Sequence, residues 1–133
     1  TVVGTDEIYG VEADIYAPCA LGATVNDDTL KVLKVQVVAG AANNQLAHDR
    51  HAAELDRRGI LYAPDYVING GGLINVAAEL APGGYDHEDA MARVARIPAI
   101  LTDIFRRAEA EGRPTNDIAQ EIARERLAAS RRS

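Results

Sequence analysis

Three short apolar runs set the frame for what this chain can fold into. They are Ala13-Asp14-Ile15-Tyr16, Val35-Gln36-Val37-Val38-Ala39 and Ile60-Leu61-Tyr62. Each is brief, β-branched or aromatic, and closed by Pro or Gly, which is the pattern of a strand. Helical signals lie between them. Asn26 can cap a helix running through Asp27, Asp28, Thr29, Leu30, Lys31, Val32 and Leu33, with acids in its first turn and Lys near its end. Asp49 can open another through His51, Ala53, Leu55 and Arg58, stopped by Gly59. Strands that alternate with helices pair in parallel through right-handed crossovers. The near-continuous apolar character predicts strands covered on both faces.

The character of the chain changes at Pro82-Gly83-Gly84. Residues 1–84 hold 5 basic and 11 acidic side chains and are rich in Val, Ile, Tyr, Gly and Asn. Residues 85–133 hold 9 of each sign and are dominated by Ala, Arg, Glu and Leu. The expectation is an α/β portion over 1–84 followed by C-terminal helices over 85–133. Asp86 reads as an N-cap. Ala90, Met91, Val94, Ile97, Leu101, Ile104, Phe105 and Ala108 then recur at three and four, an amphipathic stripe. Pro98 inside it removes a backbone donor and predicts a kink or split near Val94. Gly112 ends the stripe. Pro114-Thr115 opens a last helix with the stripe Ile118, Ile122, Ala123 and Leu127, and its Arg-rich end (Arg124, Arg126, Arg131, Arg132) reads as a solvated helix C-terminus.

Composition removes several classes. A net charge of −6 disfavours nucleic-acid and anionic-membrane partners. With 47% hydrophobic and 26% charged residues the chain is ordinary globular material rather than disordered. The single cysteine, Cys19, has no partner for an internal disulfide, so no oxidising compartment is implied and a cytoplasmic location is expected. No apolar run reaches the ~18 residues of a membrane helix. The opening Thr1-Val2-Val3-Gly4 carries neither initiator Met nor signal peptide, so the expectation is a piece of something longer or a processed product.

The unusual residues cluster where strands end. The first run leads into Ala17-Pro18-Cys19-Ala20-Leu21-Gly22, the second into Gly40-Ala41-Ala42-Asn43-Asn44-Gln45, the third into Ala63-Pro64-Asp65-Tyr66-Val67-Ile68-Asn69-Gly70-Gly71-Gly72. In a parallel sheet these ends share one edge, the edge at which open α/β sheets bind ligands. Small residues there admit close backbone approach. The amides of Asn43 and Asn69 offer donors and acceptors without charge, suited to a carboxamide or carboxylate. Plainer roles compete at each position. Gly70-Gly71-Gly72 can be a helix start or a turn, and Asn43-Asn44 can be a cap. His48 and His51 stand at i, i+3 without a third metal ligand nearby in sequence. Cys19 reads as a small buried side chain rather than a nucleophile, since no base is placed beside it.

Those same three segments, with Leu73-Ile74-Asn75-Val76-Ala77-Ala78-Glu79-Leu80, resemble the amino-acid dehydrogenases that act on glutamate, leucine, phenylalanine and valine. The leucine and valine branch is the nearest match, and the similarity runs from about Thr5 to Arg126. One departure is Gly70, where the family usually has Ala. The resemblance implies a partial Rossmann-like parallel sheet of three strands closed by C-terminal helices. It implies NAD as cofactor, an amino acid as small-molecule substrate, and a homo-oligomer. The implied reaction is reversible oxidative deamination of a branched-chain L-amino acid to a 2-oxo acid and ammonia. It assigns Cys19, Ala20, Leu21, Ala41, Ala42, Asn43 and Asn69 to the cofactor, and Asn43, Leu73 and Val76 to the substrate.

The resemblance also implies what is lacking. Family members carry their catalytic Lys and Asp in an N-terminal domain, and a G-x-G-x-x-G loop opens their nucleotide domain. The eleven glycines here never take that spacing, and the two lysines, Lys31 and Lys34, fall on an expected helix. No catalytic residue and no metal ligand is expected in this stretch. The expectation is the C-terminal half of the nucleotide-binding domain, inactive alone. The competing expectation is a non-catalytic interaction module derived from that domain.

Overall fold

A computed structural model describes residues 1–131. Three parallel strands, β1 (Ile15–Tyr16), β2 (Val37–Val38) and β3 (Leu61–Tyr62), lie side by side in the order β1-β2-β3. Each is only two residues long, shorter than the apolar runs suggest, because pairing stops where Ala17-Pro18, Ala39-Gly40 and Ala63-Pro64 turn the chain away. Helix α1 (Asp27–Val32) connects the first pair and α2 (Arg50–Arg57) the second. α3 (Asp65–Ile68) and α4 (Gly71–Glu79) follow β3, and α5 (His87–Val94), α6 (Ile97–Glu111) and α7 (Thr115–Ser130) complete the chain.

Local chemistry sets these boundaries. Asn26 accepts the backbone N–H groups of Asp28 and Thr29, both at 3.0 Å, while Thr29 Oγ1 accepts the Asn26 N–H at 3.0 Å. This reciprocal cap satisfies donors that a helix start leaves open. Lys34 lies beyond α1, bridged to Glu12, so only Lys31 is helical. The entry to α2 is held differently from the expectation. Asp49 makes no side-chain cap; His51 Nδ1 instead accepts the His48 N–H at 3.1 Å. Gly59, at φ +69°, stops that helix. The long stripe breaks where Pro98 requires: α5 ends at Val94, and Pro98 sits in the first turn of α6, where its missing donor costs nothing. Gly112, left-handed at φ +61°, ends α6.

The strand faces are unequal. Register aligns Tyr16, Val38 and Tyr62 on one side and Ile15, Val37 and Leu61 on the other. The first row packs against Val25, Leu30, Leu33 and Leu55 from α1, α2 and their approaches. A fully buried side chain such as Leu55 contributes about 1.5–3 kcal/mol. The second row is partly bare, with Ile15 57% and Leu61 39% exposed, so burial on both faces does not hold among the described residues. α6 and α7 pack on each other through Ile104, Ala108, Ile118 and Ala119. Thr115 Oγ1 donates to the Tyr62 carbonyl at 2.6 Å and joins α7 to the sheet. Past Ile122 the stripe of α7 leaves the core and Leu127 is exposed. Arg124, Arg126 and Arg131 are exposed, and Arg132 lies outside the described residues.

Candidate active site

The three strand ends meet on one edge, with backbone packed against backbone. Ala39 and Ala42 donate to the carbonyls of Tyr16 and Pro18 at 3.0 and 2.9 Å. A Cβ added at Gly40 would overlap the Pro18 main chain, so only glycine lets these two segments cross. Ala41 N–H points at Cys19 Sγ, 3.5 Å away. Cys19 is exposed, which corrects the expectation of burial: it stands past the end of β1, on the rim rather than beneath the sheet.

Asn43 and Asn69 are brought together from different segments. Asn69 Nδ2 donates to Asn43 Oδ1 at 2.6 Å and to the Ala41 carbonyl at 3.3 Å. Neither Asn43 nor Asn44 caps a helix, since α2 begins only at Arg50; Asn44 instead takes a left-handed turn at φ +52°. Gly70 occupies the cap position of α4, so the three glycines open a helix. Asn43, Asn69, Gly70, Leu73 and Val76 line one cleft of about 510 Å³ together with Asp65 and Tyr66. Leu73 and Val76, one turn apart on α4, are 76% and 54% exposed. Cys19, Ala20 and Leu21 are exposed on the same strand-end edge outside that cleft. Ala42 is buried, and its N–H and C=O are both engaged within the chain.

Two residues that sequence reasoning passed over support this edge. Gln45 is fully buried, and its Nε2 donates to the carbonyls of Gly40 and Ala42 at 2.6 and 2.9 Å. Its backbone N–H donates to Asp65 Oδ2 at 2.7 Å, while Asp65 Oδ1 accepts the Tyr66 N–H at 2.6 Å. The signal available in sequence was a long uncharged amide directly after two asparagines, and an acid directly after Pro64. Burial pushes the Tyr66 phenol up to about 12, helped by the nearby Asp65 carboxylate, and raises Tyr62 for the same reasons. Both hydroxyls therefore stay protonated at neutral pH. Tyr66 donates to the carbonyl and side-chain oxygens of Asn116, each at 3.3 Å.

The His51 ring is committed elsewhere. His51 Nε2 faces Asp27 Oδ1 at 3.2 Å, and its other nitrogen accepts a backbone N–H. Among the described residues no three His, Cys, Asp or Glu side chains form a group able to hold a metal ion. No described helix is long and apolar enough to cross a membrane.

The sequence profile of the Glutamate/Leucine/Phenylalanine/Valine dehydrogenase family matches residues 1–133. Leucine dehydrogenase of Bacillus cereus is 51% identical over 133 residues, covering 100% of this chain and 36% of that enzyme. The crystal structure of L-tryptophan dehydrogenase from Nostoc punctiforme superposes with a TM-score of 0.92 at 48% identity, over 100% of this chain and 39% of the other. Hetero-hexameric glutamate dehydrogenase from Thermus thermophilus, in a Leu-bound form, gives 0.71 at 26% identity, over 94% of this chain and 31% of the other. The chain thus spans about a third of the length of the relatives it matches. With its parallel sheet, strand-end cleft and closing helices, the chain belongs to the glutamate/leucine/phenylalanine/valine dehydrogenase family.

Proposed function

We propose that this chain is the substrate- and nicotinamide-facing part of an NAD-dependent amino-acid dehydrogenase that deaminates a branched-chain L-amino acid to a 2-oxo acid and ammonia. In this reading residues 1–84 form the C-terminal half of the nucleotide-binding domain, and residues 85–133 close it. The observation that carries it is the joined amide pair at the mouth of a cleft walled by two branched aliphatic side chains.

The bond from Asn69 occupies Asn43 Oδ1 and so orients the amide. Asn43 Nδ2, which has no partner among the described residues, is left to donate two hydrogens, the complement of a substrate carboxylate. Asn69 Oδ1 remains an acceptor, the complement of a carboxamide N–H. Leu73 and Val76 suit an aliphatic side chain, and discrimination between leucine and valine in such a pocket amounts to about 10–200-fold.

The strand-end edge fits NAD by its chemistry. Cys19, Ala20 and Leu21 offer exposed small or apolar surface, and Gly40 lets the β2 loop pass directly against the Pro18 backbone beside them. Ala41 and Asn43 would flank the nicotinamide ribose and Asn69 the carboxamide; Ala42, enclosed, supports the loop from beneath. A bound NAD would supply the hydride acceptor, and Asn43, Leu73 and Val76 would orient the substrate toward it. The catalytic Lys and Asp and the phosphate-binding loop belong, in this proposal, to the rest of the polypeptide. The proposal includes a homo-oligomer, for which the hetero-hexameric Thermus relative supports assembly but not identity of the subunits, and the cytoplasm, where the exposed Cys19 thiol stays reduced.

The test is an NADH absorbance assay of the full-length polypeptide that contains this segment, with leucine, valine, phenylalanine, tryptophan and glutamate. Highest efficiency with leucine or valine supports the proposal, and the segment of residues 1–133 alone gives no turnover. Preference for an aromatic or acidic substrate, or turnover by the isolated segment, overturns it.

A further inference from the structure

We infer that Gln45 and Asp65 are the positioning residues of the site, a buried strut that sets the distance between the Asn43 and Asn69 amides. The inference rests on the proposed reading of the amide pair and adds what holds that pair in place.

Asn43 and Asn69 sit on segments with no covalent reason to agree. Asn43 is in the loop after β2, and Asn69 follows the single turn of α3. Each is two to four residues from a strut member: Gln45 comes two after Asn43, and Asn69 four after Asp65. The side-chain NH2 of Gln45 reaches the carbonyls on both sides of Ala41. Ala41 is thereby fixed from below while its own carbonyl, on the open side, receives Asn69. The Gln45 main chain is tied in turn to Asp65, whose two oxygens divide their work. Oδ2 takes the N–H of Gln45 in the β2 loop, and Oδ1 takes the N–H of Tyr66 at the start of α3. One carboxylate thus bridges the two segments that carry the asparagines.

Gln45 is fully buried and outside the cleft, while Asp65 lines the cleft but has both its oxygens taken by backbone N–H groups, so each acts through the amides it holds. Gln45 has both Nε2 hydrogens spoken for, and removing them leaves two buried carbonyls unpaired. A loop released in this way lets Asn43 drift, and misplacement of about 1 Å at a reacting centre costs up to roughly a hundredfold in rate.

The experiment is a double-mutant cycle in the full-length enzyme, with kcat and KM measured at a temperature where each variant is folded by circular dichroism. Gln45→Met keeps the length of the side chain and removes the donors. The expected result is a loss of about tenfold to a hundredfold in kcat/KM with Asn43 present, falling to less than about twofold in an Asn43→Ala background. Ile104→Val, in the α6–α7 core far from the strut, serves as a comparison for lost stability and leaves kcat/KM unchanged. Equal losses with and without Asn43, or no loss with Asn43 present, overturn the inference while leaving the reading of the amide pair intact. An Asn43→Ala enzyme of normal efficiency overturns that reading and the inference with it. If Gln45→Met does not fold, Asp65→Asn runs through the same cycle; it keeps the shape and turns an NH2 toward one of the two N–H donors, and the same outcomes decide.

Discussion

Asn69 and Asn43, 26 positions apart in the chain, share a hydrogen bond of 2.6 Å in which Asn69 donates through Nδ2 and Asn43 accepts through Oδ1. The direction of that bond leaves the Asn43 NH2 as the free end. The pair is exposed, so its contribution to folding is small, and on the proposed function its geometry serves the substrate.

If the proposed function holds, Asn43→Ala in the full-length polypeptide is expected to lower kcat/KM by roughly tenfold to a hundredfold, since losing a hydrogen bond to a charged group costs about 1.5–3 kcal/mol. The melting temperature should change little. Asn43→Asp keeps the acceptor for Asn69 but would set a carboxylate against the proposed substrate carboxylate, and should be worse than alanine. Steady-state kinetics and thermal melts on both variants check this. Normal efficiency with a clearly lowered melting temperature would remove Asn43 from the site.

Gly40→Ala should do the reverse of Asn43→Ala and act on folding first. The added methyl has nowhere to go, because the atoms it meets are the Pro18 main chain rather than a side chain that can rotate away. Pushing the loop after β2 away from β1 breaks the Ala42 to Pro18 bond of 2.9 Å and disturbs Ala41. The expected outcome is destabilisation of more than about 2 kcal/mol in urea unfolding, at the large end for a point substitution. Gly59→Ala makes a useful contrast. Nothing crowds that position, so its cost is only the strain of φ +69°, about 1–2 kcal/mol.

Much of this architecture is legible in sequence because the controlling interactions are local. Pro98 dictates the break between α5 and α6, Gly112 the end of α6, and the Asn26–Thr29 pair the start of α1. The shared strand-end edge is legible as well, since a parallel sheet necessarily gathers its strand ends. What sequence does not reveal is set by contacts between distant segments. Asp65 looks like an ordinary acid in a first helical turn, and only the fold puts Gln45 beside it. Cys19 is exposed against the general tendency of free cysteine to be buried, because its place relative to the strand end outweighs its polarity. Ile15 and Leu61 look like core residues, and they are bare for want of anything among the described residues to cover that face.

The link between α1 and α2 should show in the pH dependence of stability. Asp27 receives both Arg50 guanidinium nitrogens, at 2.7 and 2.6 Å, and faces His51 Nε2 at 3.2 Å. The Arg50 hydrogen bonds, then that of His51, hold its carboxyl well below the usual carboxylate range. Because the folded value lies beneath the unfolded one, the stabilisation is fully present above the unfolded value of about 3.9 and fades as pH falls below it. The expected result is that Asp27→Asn is less stable than the parent sequence at pH 7 and that the gap narrows progressively below about pH 4. The pair is exposed, so salt should weaken it too. Denaturant melts from pH 7 to pH 3 decide the matter, and a gap that widens with acidity would rule out this account.

The bare strand face makes the last prediction. Ile15, Val37 and Leu61 form one row across the sheet, and among the described residues β1 has a neighbour strand on only one side. An unpaired edge beside exposed apolar side chains is a template for another chain. Residues 1–133 expressed alone should therefore self-associate, giving sedimentation masses above 14.2 kDa that rise with concentration. Placing Lys at both Ile15 and Leu61 should suppress this without unfolding, because both side chains point away from the packed face that holds Val38 and Tyr62. Lysine on a strand edge is a common natural block to such pairing. The double variant should sediment near the monomer mass with an unchanged far-ultraviolet spectrum. A segment that stays monomeric at high concentration without those lysines would mean that the row is protected in some other way.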